Sequence, residues 1–404
     1  MAESQEIAAT RELRLSQSVR GMGSSALREV MELASRPGVL SFAVGLPATE
    51  LFPREALAEE TARVLLTDPL ALQYTLPLAE LKQQIVGLMA GRGVRCRPEQ
   101  VFVTTGATQA VDLLAHLLLD PGGEVLLEEA VYDGIRLAVR RFAPRILTVP
   151  SNADRGIDVE AVAAALAGGA RPAFLYLIPE SHNPLGVSLP PESRRSLVEL
   201  ARRYGVPLIE DDTYGLLGEG SQPALRALDE DWVLYVGSFS KILAPALRAG
   251  WAVVPEALVP RLSMLKHAAD VDTAALGHRA VAAFLAAGRL PEHLQTLRQE
   301  YLRRRTAILA SLAAHMPPGV RWNRPASGFY IWVELPRSID ATALLRVAVE
   351  TEQVAFAPGE AFAAADAAGI RHCLRLSFGN CPPERIEEGI RRLGRVLSRL
   401  IATT

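Results

Sequence analysis

From about residue 100 onward the chain alternates short, unbroken apolar runs with longer stretches whose apolar residues recur at helical spacing. The runs are "QVFVTT" (100–105), "GGEVLLEE" (122–129), "RILTVPS" (145–151), "RPAFLYLIP" (171–179), "VPLIED" (206–211), "DWVLYVGSF" (231–239) and "AGWAVVP" (249–255). Runs that are apolar at consecutive positions predict strands buried on both faces, and helices between them predict a mostly parallel sheet covered by helices. The helix-like stretches include "GATQAVDLLAHLLLD" and "PPESRRSLVELARRYG", the second with proline at its start and glycine at its end. After about residue 285 the texture changes. "LPEHLQTLRQEYLRRRTAILASLAAHM" predicts one long amphipathic helix, with Arg303–Arg305 expected on a solvated face. "SGFYIWVELP" (327–336) and "CLRLSFG" (373–379) follow as strands, and "PPERIEEGIRRLGRVLSRLI" as a closing helix. The pattern predicts a second, smaller α+β unit. The expected division is residues 1–45 as an N-terminal arm joining the small domain, 46–285 as the large domain and 286–404 as the small one. No internal repeat, low-complexity tract or flexible linker is apparent.

Composition narrows the class without naming it. At 404 residues, two lobes are expected rather than one core. Lysine plus arginine number 43 against 45 acids, a balance with no electrostatic footprint for nucleic acid or an anionic membrane. Cys96, Cys373 and Cys381 are too few for a disulfide framework and too scattered for a zinc site. The first residues lack a basic segment followed by an apolar one, and no apolar run approaches the ~18 residues of a membrane span. A soluble, cytoplasmic protein is expected.

Parallel sheets bind ligands at the carboxyl ends of their strands, so chemistry is sought there. Gly106, Ala107 and Thr108 follow the first run and open a helix, an arrangement that suits an anion as well as an ordinary turn and cap. Glu210, Asp211, Asp212, Thr213 and Tyr214 follow "VPLI", where acids often serve as helix caps. Asn183-Pro184 alone suggests a turn. Ser238, Ser240 and Lys241 follow "WVLYVG", with Arg248 seven residues beyond the lysine, and a lone lysine is usually a surface charge. Together these residues describe one ligand. A helix start, hydroxyls and an arginine suit a phosphate; an amine suits a carbonyl; a carboxylate suits a protonated ring nitrogen; hydroxyl and amide donors suit a phenolate. That ligand is pyridoxal 5′-phosphate.

The segments "SFSKILAPALRAGW", "EDDTYGLL", "HNPLG", "EEAVYDG" and "LRLSFG" resemble motifs of the class I/II aminotransferases, pyridoxal-phosphate enzymes of fold type I. The likeness runs from "VLSFAVGLPATELFP" (39–53) to "RIEEGIRRLG" (385–394) and is nearest the branch of 2-aminoadipate and kynurenine aminotransferases. It implies an α/β fold whose large domain holds a mostly parallel seven-stranded sheet, with a smaller α+β domain. It also implies a role for each residue. Lys241 would bond the cofactor's carbonyl and move the proton of substrate Cα. Asp211 would pair with the ring nitrogen, Tyr214 and Asn183 with the phenolic oxygen, and Tyr132 would stack on the ring. Gly106, Ala107, Thr108, Ser238, Ser240 and Arg248 would hold the phosphate. Arg375 would clamp the substrate α-carboxylate as a bidentate pair, with Gly45 and Asn183 beside it. Tyr74 would reach the neighbouring subunit's site, which implies a homodimer.

Two features depart from the family pattern. Ser181-His182-Asn183-Pro184-Leu185-Gly186 replaces a segment like "FQNPTG", so His182 is either a tuner or substrate contact, or a packed residue filling a glutamine's volume. "TLPLAELKQQI" after Tyr74 is shorter than usual, which bears on specificity and suggests a specialised substrate. The leading expectation is exchange of an amino group between an α-amino acid and a 2-oxo acid, 2-oxoglutarate first, by a ping-pong cycle. Alternatives are another reaction on the same cofactor (decarboxylation, elimination or oxidation) and the ligand-sensing half of a transcription regulator.

Overall fold

The computed structural model describes residues 16, 26–74, 78–218, 220, 222–271, 273–365 and 368–403. All seven apolar runs between residues 100 and 255 form strands of one sheet. These are β1 (Val101–Thr104), β2 (Glu124–Glu128), β3 (Arg145–Val149), β4 (Leu175–Leu177), β5 (Leu208–Asp211), β6 (Val233–Ser238) and β7 (Gly250–Val253). Their spatial order is β1-β7-β6-β5-β4-β2-β3. From β6 to β3 neighbours are parallel, whereas β7 runs antiparallel to both β6 and β1. The unbroken apolar runs have the expected cause: successive residues enter opposite cores, Val125 and Leu127 one and Leu126 the other.

Three helices frame the strand ends. Helix α1 (Ala107–Leu118) follows β1, α2 (Asp133–Arg140) follows β2, and α3 (Pro191–Tyr204) precedes β5. The α3 boundaries follow from its own residues: Pro191 needs no hydrogen-bond partner at the first turn, and Gly205 takes the left-handed conformation (φ 66°) that ends it. The return from β6 to β7 is short. Ser238 pairs with Gly250, and Phe239 N–H donates to Ala249 O (3.0 Å).

Beyond residue 285 the chain builds a second sheet. Helix α4 (Leu290–His315) leads into β8 (Arg321–Trp322), β9 (Tyr330–Glu334), β10 (Ala357–Pro358) and β11 (Cys373–Ser377), and α5 (Pro383–Thr403) closes the chain. The sheet order is β8-β9-β11-β10, all antiparallel. It has its own core, where Ile331, Val333, Leu374 and Leu376 meet Ile386 and Ile390 of α5. Leu40–Ser41 pairs in parallel with Val354–Ala355, which draws the N-terminal segment to this sheet. Among the described residues, no helix is long and apolar enough to cross a membrane.

Arg304 departs from the solvated face expected for it. Arg303 is largely exposed, but Arg304 is buried and holds three parts of the chain together. It donates to Glu300 one helical turn back (2.7 Å), to Gly379 O beyond β11 (2.7 Å) and to Glu50 of the N-terminal segment. Replacing it by methionine would leave the buried Gly379 carbonyl unpartnered, while Glu300 keeps its bonds from Arg303. We expect Arg304→Met to cost about 2 kcal/mol of stability, measured by denaturant unfolding of the apo-protein.

Candidate active site

A cavity of about 290 Å³ opens where the first sheet's strand ends meet the second sheet. It is lined by Gly45, Ala107, Thr108, Tyr132, Asn183, Asp211, Tyr214, Ser238, Ser240, Lys241, Arg248 and Arg375. Gly106 stands just behind the wall and Tyr74 does not line it. The side chains thus converge from six separate stretches of sequence.

The β6–β7 connection supplies the amine. Lys241 Nζ donates to Gly45 O at 2.9 Å, and burial together with the Arg375 charge brings its pKa down to about 8. Beside it the Ser238 and Ser240 hydroxyls bond one another at 3.0 Å, and Ser240 N–H donates to Ser238 Oγ (3.1 Å). Arg248, in the left-handed region (φ 48°), donates to Thr105 O (3.0 Å) across the start of α1. Gly106, at the N-terminal end of that helix, has φ 78°, and a Cβ there would come within 2.8 Å of Arg248 Nη2. Glycine is what lets the arginine cross the helix start, where N–H groups already favour an anion.

The three acids at the end of β5 are all buried and none opens a helix directly after the strand; Glu210 instead caps the short 3-10 helix Leu225–Ala227. Glu210 accepts from Leu225 N–H (2.6 Å) and Arg226 N–H (2.9 Å). Asp212 pairs with Arg92 (2.8 Å) and accepts from Tyr235 (2.9 Å). Asp211 faces the cavity. Burial pushes its carboxyl up, while donors from Thr213 and the Tyr176 hydroxyl (2.7 Å) oppose that rise. None of the ion pairs among the described residues involves Asp211.

Across the cavity, on β11, Arg375 lies between two rings, 4.5 Å from the centre of Tyr330 and 4.6 Å from that of Phe362. It donates to Asn183 Oδ1 (2.6 Å) and Ala43 O (2.5 Å), and its buried Nε has no partner. Such an arginine is held in place with donor capacity to spare, the arrangement a carboxylate guest requires.

A family model for class I and II aminotransferases matches residues 37–393. The chain belongs to that family. It is 41% identical over 392 residues to 2-aminoadipate transaminase of Thermus thermophilus, covering 94% of this chain and 95% of the relative. Among solved structures, LysN, the α-aminoadipate aminotransferase of Thermus thermophilus, complexed with N-(5′-phosphopyridoxyl)-L-leucine, superposes with a TM-score of 0.88. It shares 39% identity over 96% of this chain and 98% of that one. The Pyrococcus horikoshii kynurenine aminotransferase superposes with a TM-score of 0.90 at 31% identity, over 96% and 97%. This aminotransferase is therefore a pyridoxal-phosphate-dependent enzyme of fold type I. The residues present fit that cofactor: a buried carboxylate without a cation of its own, an amine, and an arginine with hydroxyls at a helix start occupy one cavity.

Several cavity residues of this aminotransferase escape sequence reading. Tyr330, Phe362, Asp133 and Met31 line it, and Tyr176 supports Asp211 from β4. Tyr330 and Tyr176 sit inside apolar runs, where an aromatic residue is indistinguishable from core. His182 is buried and packed, which excludes a substrate contact. Its Nδ1 accepts from Leu185 N–H (3.3 Å), its Nε2 lies 2.8 Å from Glu128 Oε2, and it does not line the cavity. Of the shortened segment after Tyr74, residues 75–77 lie outside the described residues.

Proposed function

We propose that this aminotransferase transfers the amino group of an α-amino acid to 2-oxoglutarate by a ping-pong cycle, in specialised metabolism. The observation that supports it most is the placing of Lys241 in one cavity with the uncompensated carboxylate of Asp211 and the partly unsatisfied guanidinium of Arg375. In this reading Lys241 would be the amine that holds the cofactor at its carbonyl carbon, and Asp211 would hold its ring nitrogen. Tyr214 and Asn183 take the phenolic oxygen, and Tyr132 takes the ring face. Gly106, Ala107, Thr108, Ser238, Ser240 and Arg248 hold the phosphate. When bound, the cofactor supplies an electron sink that weakens the substrate's Cα–H bond.

The chain's own groups do the rest. Arg375 receives the substrate α-carboxylate through Nε and an Nη, and the two flanking rings fix its plane. Gly45 would lie beside the substrate, and its missing side chain leaves room for the Tyr330 hydroxyl, which a Cβ there would meet at 2.1 Å. Lys241 Nζ takes and returns the Cα proton, and with a pKa brought to about 8, roughly a tenth of the free amine is neutral at pH 7. Asp211, whose two donors oppose the rise that burial causes, would keep the proton of the ring nitrogen in place at the opposite end of the cavity.

The same reading divides the chain at residues 45/46 and 285/286, supported by the two separate sheets, one built before residue 285 and one after it. It also makes the enzyme a homodimer in which Tyr74 reaches the partner's cavity. Leu66, Leu72 and Tyr74 are each more than three-quarters exposed within a short stretch, an apolar surface that a second copy would cover. The likeness to 2-aminoadipate and kynurenine aminotransferases directs the first choice of donors. Incubation with a panel of amino acids (2-aminoadipate, kynurenine, aromatic and branched-chain) and 2-oxoglutarate should yield glutamate and the matching 2-oxo acid by mass spectrometry. Consumption of a donor with carbon dioxide release or oxygen uptake, and no glutamate from any donor, would overturn the proposal.

A further inference from the structure

Tyr330, the first residue of β9, touches three parts of the cavity at once. The Arg375 guanidinium lies on its ring face at 4.5 Å. Its hydroxyl oxygen is 2.6 Å from that of Tyr214. The same hydroxyl abuts Gly45, where a Cβ would come within 2.1 Å of it, and Gly45 O is the acceptor of Lys241 Nζ. Both tyrosines are buried, so neither hydroxyl has bulk water as an alternative partner.

Which hydroxyl donates follows from the surroundings. A cation against the face of a phenol draws electron density from the ring and makes its hydroxyl the stronger acid. Arg375 does this to Tyr330. Burial pushes both phenols up, Tyr214 well above the ordinary phenol range; the Arg375 charge opposes the rise at both but lies on the ring face of Tyr330, and the Tyr330 neighbour adds to the rise at Tyr214. The other charged or titratable groups lining the same cavity are Lys241, Asp211, Tyr132, Asp133 and Arg248. The more acidic partner donates, so Tyr330 gives its hydrogen to Tyr214. The Tyr214 hydrogen is then free for a different acceptor.

We propose that Tyr330 is a positioning residue. By donating to Tyr214, it directs the Tyr214 hydroxyl hydrogen toward the cofactor's phenolic oxygen and joins Arg375 to that oxygen through one chain of contacts. The inference rests on the role assigned to Tyr214 in the proposed function. A hydroxyl that accepts one hydrogen bond is a better donor in the next, by about a tenth to a third. Tyr330 therefore acts at a distance, strengthening a contact it does not itself make.

The test uses the holoenzyme and reads the pH midpoint of the change in the cofactor's visible absorption. A donor on the phenolic oxygen stabilises its negative charge and weakens its hold on a nearby proton. Tyr330→Phe keeps the ring, and so the stacking on Arg375, but removes the oxygen. Its midpoint should rise by roughly half a pH unit, with kcat falling more than KM changes. Tyr214→Phe should move the midpoint further in the same direction, and the double variant should match Tyr214→Phe alone, because Tyr330 acts through it. Tyr301→Phe controls for general loosening: it removes a buried hydroxyl that accepts from Ala48 N–H (3.2 Å) outside the cavity, and should leave the midpoint in place. If Tyr214→Phe shifts the midpoint and Tyr330→Phe does not, the inference fails. It also fails if the two shifts simply add in the double variant. If Tyr214→Phe itself has no effect, the assignment of Tyr214 fails instead.

Discussion

Lys241→Ala is expected to lower kcat by at least about 10⁴-fold and to abolish the covalent link to the cofactor. Both effects follow from the absence of any other amine around the cavity. The chain has only two other lysines, and neither can substitute. Lys82 lies over the Phe102 ring, 5.7 Å from its centre, and Lys266 pairs with Asp270, both away from the cavity. Borohydride reduction of the wild-type holoenzyme followed by digestion should place the added mass on the peptide containing residue 241. In the variant, no peptide should carry it. An adduct that persists in Lys241→Ala would remove the residue from its assigned role. Added methylamine should restore part of the rate if proton transfer is what was lost, because a small free amine fits the space vacated by the side chain.

Asp211→Asn is expected to act in opposite directions on catalysis and on stability. A buried carboxylate with hydrogen-bond donors but no cation is costly to hold in the empty protein. Removing the charge should stabilise the apo-protein by about 1–2 kcal/mol. The sign with pH is set by the raised folded-state value. Folding is penalised as pH rises from the ordinary carboxylate range through that raised value, so wild type and variant should converge in acid. With cofactor present the order should invert. The variant would lose the charge facing the ring nitrogen, and kcat should fall by about 10³-fold with weaker cofactor retention. Thermal unfolding of apo and holo forms measures both signs. An apo-variant no more stable than wild type would show that Asp211 is not strained by burial.

The first sheet was legible because all its strands but the edge strand β3 are buried on both sides: each apolar run in the sequence corresponds to a strand. The direction of β7 was not, since an antiparallel strand inside a covered sheet carries the same unbroken apolar run as a parallel one. Lys241, Asp211 and Arg248 could be singled out because charge at the end of an apolar run is locally conspicuous. Tyr330 and Tyr176 could not, because the destination of a hydroxyl depends on what lies across the sheet rather than along the chain. Arg304 was misplaced for a related reason. Its neighbours Arg303 and Arg305 suggest a charged surface, but the helix turns each of the three to a different environment. His182 stood out only as a departure from a familiar motif, and its partner Glu128 lies at the end of β2, far from it in sequence.

The short antiparallel return from β6 to β7 has a consequence for how such enzymes diversify. It carries Ser238, Ser240, Lys241 and Arg248 on one connection, so the amine and part of the cavity's polar lining lie together in the chain, while Ala107 and Thr108 come from the start of α1. The opposite wall, with Tyr330, Phe362 and Arg375, comes from the second sheet and the turn beside it, although Tyr330 shares its core with Phe239 and Trp251 of the first. Mutations on that wall can reshape the guest's side of the cavity while the connection stays in register. Grafting residues 238–250 into another sheet would therefore carry over the amine and its neighbouring hydroxyls, but neither Asp211 nor the start of α1.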